Sequence, residues 1–330
     1  MVWFQFIISA AIIVLVAIKL AEYGDAIALR TNFGGVFVGT LLLAGATSLP
    51  ELLTTINSIN QGVPDLAAGN LFGSNMFNMF MLAALDLMNR QKRILRQSAL
   101  KHALSGSLAT FLIGLSAFFI LSNIDLKIGW VGLDSLTLII VYIVAIWIIQ
   151  SNNSISSPPS LPREEDLIGV PKLVNAILGF LIATGILVVV TPWLVESSAM
   201  IAEITGLGMS FVGTTLLAFV TSLPELVTTM TAVRLGASDL AIGNLFGSNM
   251  FNIFALGLSD LFFLDGRYLG SIDPSFVIIG LLGLIMTGMG LIGNLVRLER
   301  KIFFIEIDAL LLILVYIGGL YFLYTQGINP

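Results

Sequence analysis

The sequence predicts an all-α integral membrane protein with ten transmembrane helices in two inverted five-helix repeats. Helices 2 and 7, and helices 3 and 8 with them, are expected to break and form a midplane site. Three observations carry this. Of 330 residues, 57% are hydrophobic and only 11% charged, against about a quarter charged in a soluble domain. The apolar residues fall in runs of the ~20 residues that cross a bilayer as a helix. A block of the first half also returns in the second at a constant offset of 174 residues.

This composition excludes a single soluble domain, a disordered chain and a disulfide scaffold. Fifteen Lys and Arg against twenty Asp and Glu leave a net charge of −5, which excludes a nucleic-acid partner. With no cysteine, thiolate metal sites and thiol nucleophiles are excluded as well. The first run, Val2 to Leu20, lacks the positive n-region of a signal peptide and exceeds a typical h-region. It reads as a spanning helix.

Ten apolar stretches follow, near 3–22, 34–60, 65–88, 101–122, 128–150, 170–196, 208–234, 239–264, 274–295 and 303–324. Barrel strands would alternate over about ten residues, so these are helices. Basic residues orient them. Arg90, Lys92, Arg93, Arg96 and Lys101 follow the third stretch, and Arg297, Arg300 and Lys301 follow the ninth. Lys19, Arg30, Arg163, Lys172 and Arg234 fall on the same side, whereas only Lys127 and Arg267 fall on the other. Both termini are therefore expected outside and the basic loops in the cytoplasm of a multi-pass cell-membrane protein. Residues 151–169, polar and rich in proline, read as a cytoplasmic linker between repeats at 1–150 and 170–330. His102, the only histidine, sits at the membrane edge and reads as solvated or snorkelling.

The repeat pairs GGVFVGTLLLAGATSLPELLTT from Gly34 with GMSFVGTTLLAFVTSLPELVTT from Gly208. It also pairs DLAAGNLFGSNMFN from Asp65 with DLAIGNLFGSNMFN from Asp239. Five spans is an odd number, so the second copy enters the membrane from the opposite side. Transporters built from such inverted repeats bind their cargo near the midplane on broken helices. Transport is thus the leading class.

Each TSLPE motif lies mid-stretch. Proline inside a helix removes one hydrogen bond and clashes with the preceding turn, yet it is tolerated in a first turn. Ser48-x-x-Glu51 and Ser222-x-x-Glu225 have capping-box spacing. Each stretch should therefore break at Ser48 or Ser222. A carboxylate at bilayer depth costs about 2.5–3.5 kcal/mol even on the lenient insertion scale. Serine can cap alone, so capping does not account for two buried glutamates. Each is placed in the field of a helix N-terminus, which favours its anionic form, and each reads as a cation ligand.

In the partner stretches Ser74 and Asn78 stand four apart on one helix face, as do Ser248 and Asn252, and they read as ligands too. Asn70 and Asn244 suit either coordination or helix-to-helix hydrogen bonding. Gly69 and Gly73 form a small-xxx-small face for close packing. Asp65 and Asp239 read as helix-start residues at the membrane surface, with ion attraction as the alternative. The resulting all-oxygen site carries a formal charge near −2 and suits hard Ca²⁺ or Na⁺ better than Zn²⁺ or Cu²⁺. One Ca²⁺, two Na⁺ or two H⁺ each balance it, which is a physical basis for exchange.

The paired G-A-T-S-L-P-E and G-N-x-x-G-S-N-x-x-N motifs resemble the alpha repeats of the calcium/cation antiporter superfamily, and within it are most similar to prokaryotic sodium/calcium exchangers. The resemblance implies Glu51 and Glu225 as central Ca²⁺ ligands. It further implies that Thr47, Thr221, Ser48, Ser222, Ser74 and Ser248 serve the Ca²⁺ and flanking Na⁺ sites, with the backbone carbonyls of Ala44 and Ala218. It implies no cofactor, Ca²⁺ and Na⁺ (or H⁺) as transported ions, and alternating access by spans one and six sliding past the bundle. No protein partner is expected beyond the lipid bilayer. Such exchangers often carry aspartate at one of the two last motif positions, whereas both are asparagine here, Asn78 and Asn252. The choice of Na⁺ or H⁺ as counter-ion stays open on the sequence. A cation channel and an intramembrane protease are the rival classes. A channel usually builds its filter on an oligomeric axis. A protease would need a second aspartate in a context matching Tyr23-Gly-Asp25, or a histidine within the membrane.

Overall fold

The computed structural model describes residues 1–31, 44–88, 99–156, 169–235, 237–274, 276–296, 301–302 and 305–327. In chain order the helices are α1 (Val2–Thr31), α2 (Leu49–Asn60), α3 (Pro64–Met88), α4 (Ala99–Ser122), α5 (Leu133–Ser156) and α6 (Leu173–Thr205). They continue as α7 (Met209–Val212), α8 (Ala218–Thr221), α9 (Leu223–Arg234), α10 (Ser238–Ser259), α11 (Tyr268–Ser271), α12 (Phe276–Val296) and α13 (Ile307–Gly327). A π turn, Gly213–Leu217, joins α7 to α8. Two short hairpins, β1–β2 (Lys127–Ile128 with Val131–Gly132) and β3–β4 (Lys301–Ile302 with Ile305–Glu306), lie at helix ends.

Eight of the described helices are long and apolar enough to cross a membrane. A ninth span is the bent pair Met209–Thr221 and Leu223–Arg234, which turns by 44°. The protein is polytopic. Trp147, Leu181, Val189 and Leu314 are each more than half exposed, the pattern of side chains that face lipid rather than water. The first part of the second predicted stretch, 34–43, lies outside the described residues. So do Arg90, Lys92, Arg93, Arg96, Arg163, Arg297 and Arg300 of the basic loops.

Several boundaries differ from the sequence expectation. α1 runs nine residues past its predicted end and α6 likewise, because helical hydrogen bonding continues after the apolar run stops. Lys19 and Glu22 pair at 2.7 Å just before that extension. α5 continues to Ser156, so residues 151–156 are helix rather than linker. The expected breaks in helices 3 and 8 are absent: α3 and α10 run unbroken. Neither has proline in its interior, and Gly69 and Gly73 serve close packing, as their spacing implied. A Cβ on Gly73 would stand 2.5 Å from the carbonyl oxygen of Thr214, and one on Gly69 3.0 Å from that of Ser210. The π turn and its neighbours thus lie directly on the α3 backbone.

Two separate apolar cores result. One collects Leu71, Phe72 and Met76 of α3 with Leu112, Leu138, Phe246, Met286 and Leu312 from α4, α5, α10, α12 and α13. The other joins Ile13 and Leu20 of α1 to Leu187 and Leu194 of α6, with Val212 and Leu217. α1 packs chiefly on α6, and the two run antiparallel. Gln5 donates to Glu196 at 3.0 Å near one end, and Arg30 donates to the carbonyl of Pro171 at 3.0 Å at the other.

Arg267, expected as a loop charge, is buried. Its guanidinium lies 2.9 Å from Asp134 and also reaches Asn123 and the carbonyl of Ile124. Asp260 accepts the N–H groups of Gly132 at 2.6 Å and Tyr268 at 2.5 Å. This network ties the start of α5 to the segment after α10. His102 is not solvated either: its side chain is 13% exposed and lies 4.0 Å from Asp239.

Gly73→Ala should lower thermal stability in detergent, by about 1–3 kcal/mol as an overpacked helix contact. Gly288→Ala on α12, where a Cβ meets nothing within 4 Å, should leave it unchanged or slightly raised. Equal effects would show that the α3 contact is loose.

Candidate cation site

Both TSLPE segments break the helix where the proline requires it. Ser48 and Ser222 sit at the break with nearly identical backbone angles (φ −89°, ψ 7° and φ −89°, ψ 4°), and proline follows in the first turn of α2 and α9. Glu51 and Glu225 fall in those first turns. The break is a bend rather than a gap. Ser48 N–H still bonds the carbonyl of Ala44 at 3.0 Å, and Ser222 N–H that of Ala218 at 3.1 Å. The Ala44 carbonyl also accepts from Thr47 at 3.1 Å, and that of Ala218 faces the Thr221 hydroxyl at 3.4 Å. Neither carbonyl is freed by the break.

Neither serine makes the side-chain cap that its spacing predicts. Each crosses to the other repeat. Ser48 Oγ donates to Glu225 Oε1 at 2.8 Å, and Ser222 Oγ to Glu51 Oε1 at 3.0 Å. Replacing every residue by its mate 174 positions away exchanges one bond for the other, the isologous relation of a two-fold axis. A hydrogen bond to a carboxylate is stronger than one between neutral groups, so each hydroxyl donates where charge is otherwise uncompensated.

Both glutamates are 1% exposed. One oxygen of each, Oε2, has no hydrogen-bond partner among the described residues. The same holds for Asn78 Oδ1, Asn252 Oδ1, Asn244 Oδ1 and Ser74 Oγ, all buried. Ser248 Oγ stands 3.4 Å from Glu225 Oε1. Leaving a buried polar group unpaired costs about 1–3 kcal/mol. Several acceptor oxygens are in that state, two of them carboxylate, and oxygens are the ligands that hard cations take. No group of three or more His, Asp or Glu side chains that could hold a metal occurs among the described residues. The described residues around the two breaks thus offer two carboxylates, with the other unpartnered oxygens neutral.

Asn70 acts as a bridge. Its amide donates to the carbonyl of Glu51 at 3.3 Å and its oxygen accepts from Thr221 at 3.0 Å, so both poles are committed to holding the breaks together. Asn244 donates to Thr229 at 3.2 Å and Thr228 at 3.3 Å. Asp65 and Asp239 occupy the first turns of α3 and α10, as predicted.

Two side chains were missed by the sequence reading. Asn249 Oδ1 accepts from Asn78 Nδ2 at 2.9 Å, and Asn75 Oδ1 from Asn252 Nδ2 at 3.0 Å. Both are identical between the two copies, the signal that could have found them.

A profile of the sodium/calcium exchanger protein family matches residues 1–150 and 175–325. The inner membrane protein YrbG of Escherichia coli is 30% identical over 245 residues, spanning 72% of this chain and 71% of its own. Among solved structures, the fold superposes on the sodium-calcium exchanger NCX_Mj with a TM-score of 0.62 at 20% identity, covering 97% of this chain and 99% of that one. It superposes on an H⁺/Ca²⁺ exchanger, CAX, with a TM-score of 0.72 at 14% identity, covering 99% and 85%. With its profile matched across both halves, the chain belongs to the sodium/calcium exchanger protein family.

Proposed function

We propose that this protein is a secondary active antiporter that exchanges Ca²⁺ for Na⁺ by alternating access, at a site built on Glu51 and Glu225. One observation carries the reading: two buried glutamates from opposite repeats, each bonded at one oxygen by the other repeat's serine and unpartnered at the second among the described residues. The ligand set is completed by Ser74, Ser248, Asn78 and Asn252. Thr47, Thr221, Ser48 and Ser222 serve the Na⁺ positions beside it, with the Ala44 and Ala218 carbonyls once their present donors shift. Family membership supports a transporter rather than an enzyme or channel, and no cofactor is invoked.

The architecture proposed is two inverted five-helix halves, 1–150 and 170–330, joined by a cytoplasmic linker within 151–169, with both termini outside. Ten spans follow if the segment before α2 completes a second broken helix like α7 to α9. The antiparallel course of α1 and α6, and their own apolar core, suit a pair that slides past the rest of the bundle. A sliding surface should be apolar, because broken hydrogen bonds at bilayer depth would each add to the barrier.

A second reading, H⁺/Ca²⁺ exchange, is favoured by one feature. Asn78 and Asn252 are amides, so the site lacks a third carboxylate to help balance an extra monovalent ion. Both readings share the two glutamates.

⁴⁵Ca²⁺ uptake into proteoliposomes, driven by an outward Na⁺ gradient or separately by a pH gradient, tests the pair. Sodium-driven uptake lost in Glu51→Gln and Glu225→Gln is the expected result. Uptake driven by pH alone moves the protein to proton coupling with the same residues, and no coupled flux sinks the antiport reading. A site charge of −2 also predicts electroneutral exchange of one Ca²⁺ for two monovalent ions. Imposing ±100 mV with K⁺ and valinomycin should then leave the initial rate unchanged. A voltage-driven rate would require a third counter-ion.

A further inference from the structure

The four asparagines of the GSNMFN segments form a closed set between α3 and α10. Asn78 donates to Asn249 and Asn252 donates to Asn75, at 2.9 and 3.0 Å. All four are at most 1% exposed. Each of Asn78 and Asn252 thus has its nitrogen satisfied and its oxygen, Oδ1, without a partner among the described residues. If these amides only held the helices together, both poles would be satisfied, since each orphan costs about 1–3 kcal/mol. The same half-satisfied state recurs in two copies 174 residues apart, which is hard to assign to packing. On α3, Oδ1 of Asn78 shares a helix face with Ser74, whose hydroxyl is also unpartnered there.

We propose that Asn75 and Asn249 are positioning residues of the cation site. By accepting the amide N–H of the opposite repeat, each fixes the orientation of Asn252 or Asn78 and leaves Oδ1 as the pole offered to the ion. The inference rests on the reading of the site as one for a divalent cation.

The orientation is over-determined at Asn249. Its own nitrogen donates to Thr287 Oγ1 at 3.2 Å and to the carbonyl of Asn75 at 3.4 Å, so it cannot rotate to present N–H toward Asn78. Thr287 donates in turn to the carbonyl of Gly283 at 2.7 Å. The position matching Thr287 in the first repeat is Ile113, which has no acceptor, and Asn75 Nδ2 is unpartnered among the described residues. The two positioning residues are therefore unequal, with Asn249 anchored and Asn75 free at one pole. An aspartate at position 78 would face the Asn249 oxygen instead of donating to it. The quartet thereby disfavours a third carboxylate at the site.

The test reads Ca²⁺ binding directly, as protection of the purified full-length protein in detergent against thermal unfolding, with Glu51→Gln as the low-affinity reference. Asn249→Leu and Asn75→Leu remove the acceptor and should raise the half-protecting Ca²⁺ concentration at least tenfold, read against each variant's own calcium-free midpoint. Asn75→Asp keeps an oxygen there and loses only a nitrogen that has no partner among the described residues, so it should bind no more than threefold more weakly than the parent. Leucine variants that fold and bind Ca²⁺ like the parent overturn the proposal, as does an Asn75→Asp variant as weak as Asn75→Leu. Should the leucine variants fail to fold, Thr287→Val, which removes only the anchor of Asn249, should weaken binding threefold or more. Parent-like binding there overturns it equally. A parent that shows no Ca²⁺ protection defeats it too. A parent that binds Ca²⁺ yet carries no coupled flux retires the antiport reading and leaves the positioning role standing.

Discussion

Two carboxylates buried against one another's helix breaks are the constraint that the rest of the molecule serves. Glu51 and Glu225 belong to different repeats, and each is bonded by the serine at the other's break. Neither repeat can complete its own site. Close approach of the two breaks follows as a requirement, and the sequence meets it with residues that have little or no side chain. Gly69 and Gly73 admit the backbone at 210–214, and Gly213 admits that of Leu66, whose oxygen would lie 2.8 Å from an added Cβ. The π turn at Gly213–Leu217 inserts an extra residue at this contact. Asn70 then ties the two breaks through Thr221 and the Glu51 backbone.

Around this centre the packing separates into parts with different mechanical character. The larger core is fastened at one end by the Arg267–Asp134 pair and by Asp260, whose carboxylate takes two backbone N–H groups. Removing one member of such a buried set leaves an uncompensated charge, so the arrangement resists change. Among the described residues, two directional bonds join α6 to α2 and the residue after it, Asn57 to Thr191 at 2.8 Å and Gln61 to the carbonyl of Pro192 at 3.1 Å. Leu49 and Leu53 of α2 add aliphatic contact to the α1–α6 core. A fastened bundle beside such a helix pair suits the alternating access proposed.

The parts of this arrangement legible in the sequence were those with a local cause. Pro50 and Pro224 mark the breaks because proline has no N–H to give, and the glutamates stand out because ionisable groups are rare in apolar runs. The repeat made both visible twice. Where the cause is a partner from elsewhere in the chain, sequence spacing misled. Ser48 and Ser222 have capping-box spacing, yet their hydroxyls leave their own helices for the opposite carboxylate. The breaks expected in helices 3 and 8 had no proline behind them and do not occur, whereas Gly69 and Gly73 serve the close packing that their spacing implied. Asn75 and Asn249 were passed over because they lie about 100° around the helix from Ser74 and Ser248, off the face that spacing picked out. Arg267 looked like a loop charge until Asp134, 133 positions away, was seen beside it.

Charge is where sequence and structure constrain the chemistry together. The described residues contribute two carboxylates to the centre, and residues 32–43, which precede the first break, contain no Asp or Glu. The other polar groups there are hydroxyls and amides, which do not titrate between acid and neutral pH. Formal charge at the centre can therefore change only through Glu51 and Glu225, or through any cation bound there. An amide at positions 78 and 252 supplies an oxygen of fixed neutrality, and its nitrogen lets the opposite repeat hold that oxygen in place. A carboxylate would add affinity for cations but would lose the N–H through which it is oriented. Asparagine at both positions thus trades negative charge for geometry, and the pairing across the two-fold applies that trade in both halves, more firmly where Asn249 is anchored on Thr287.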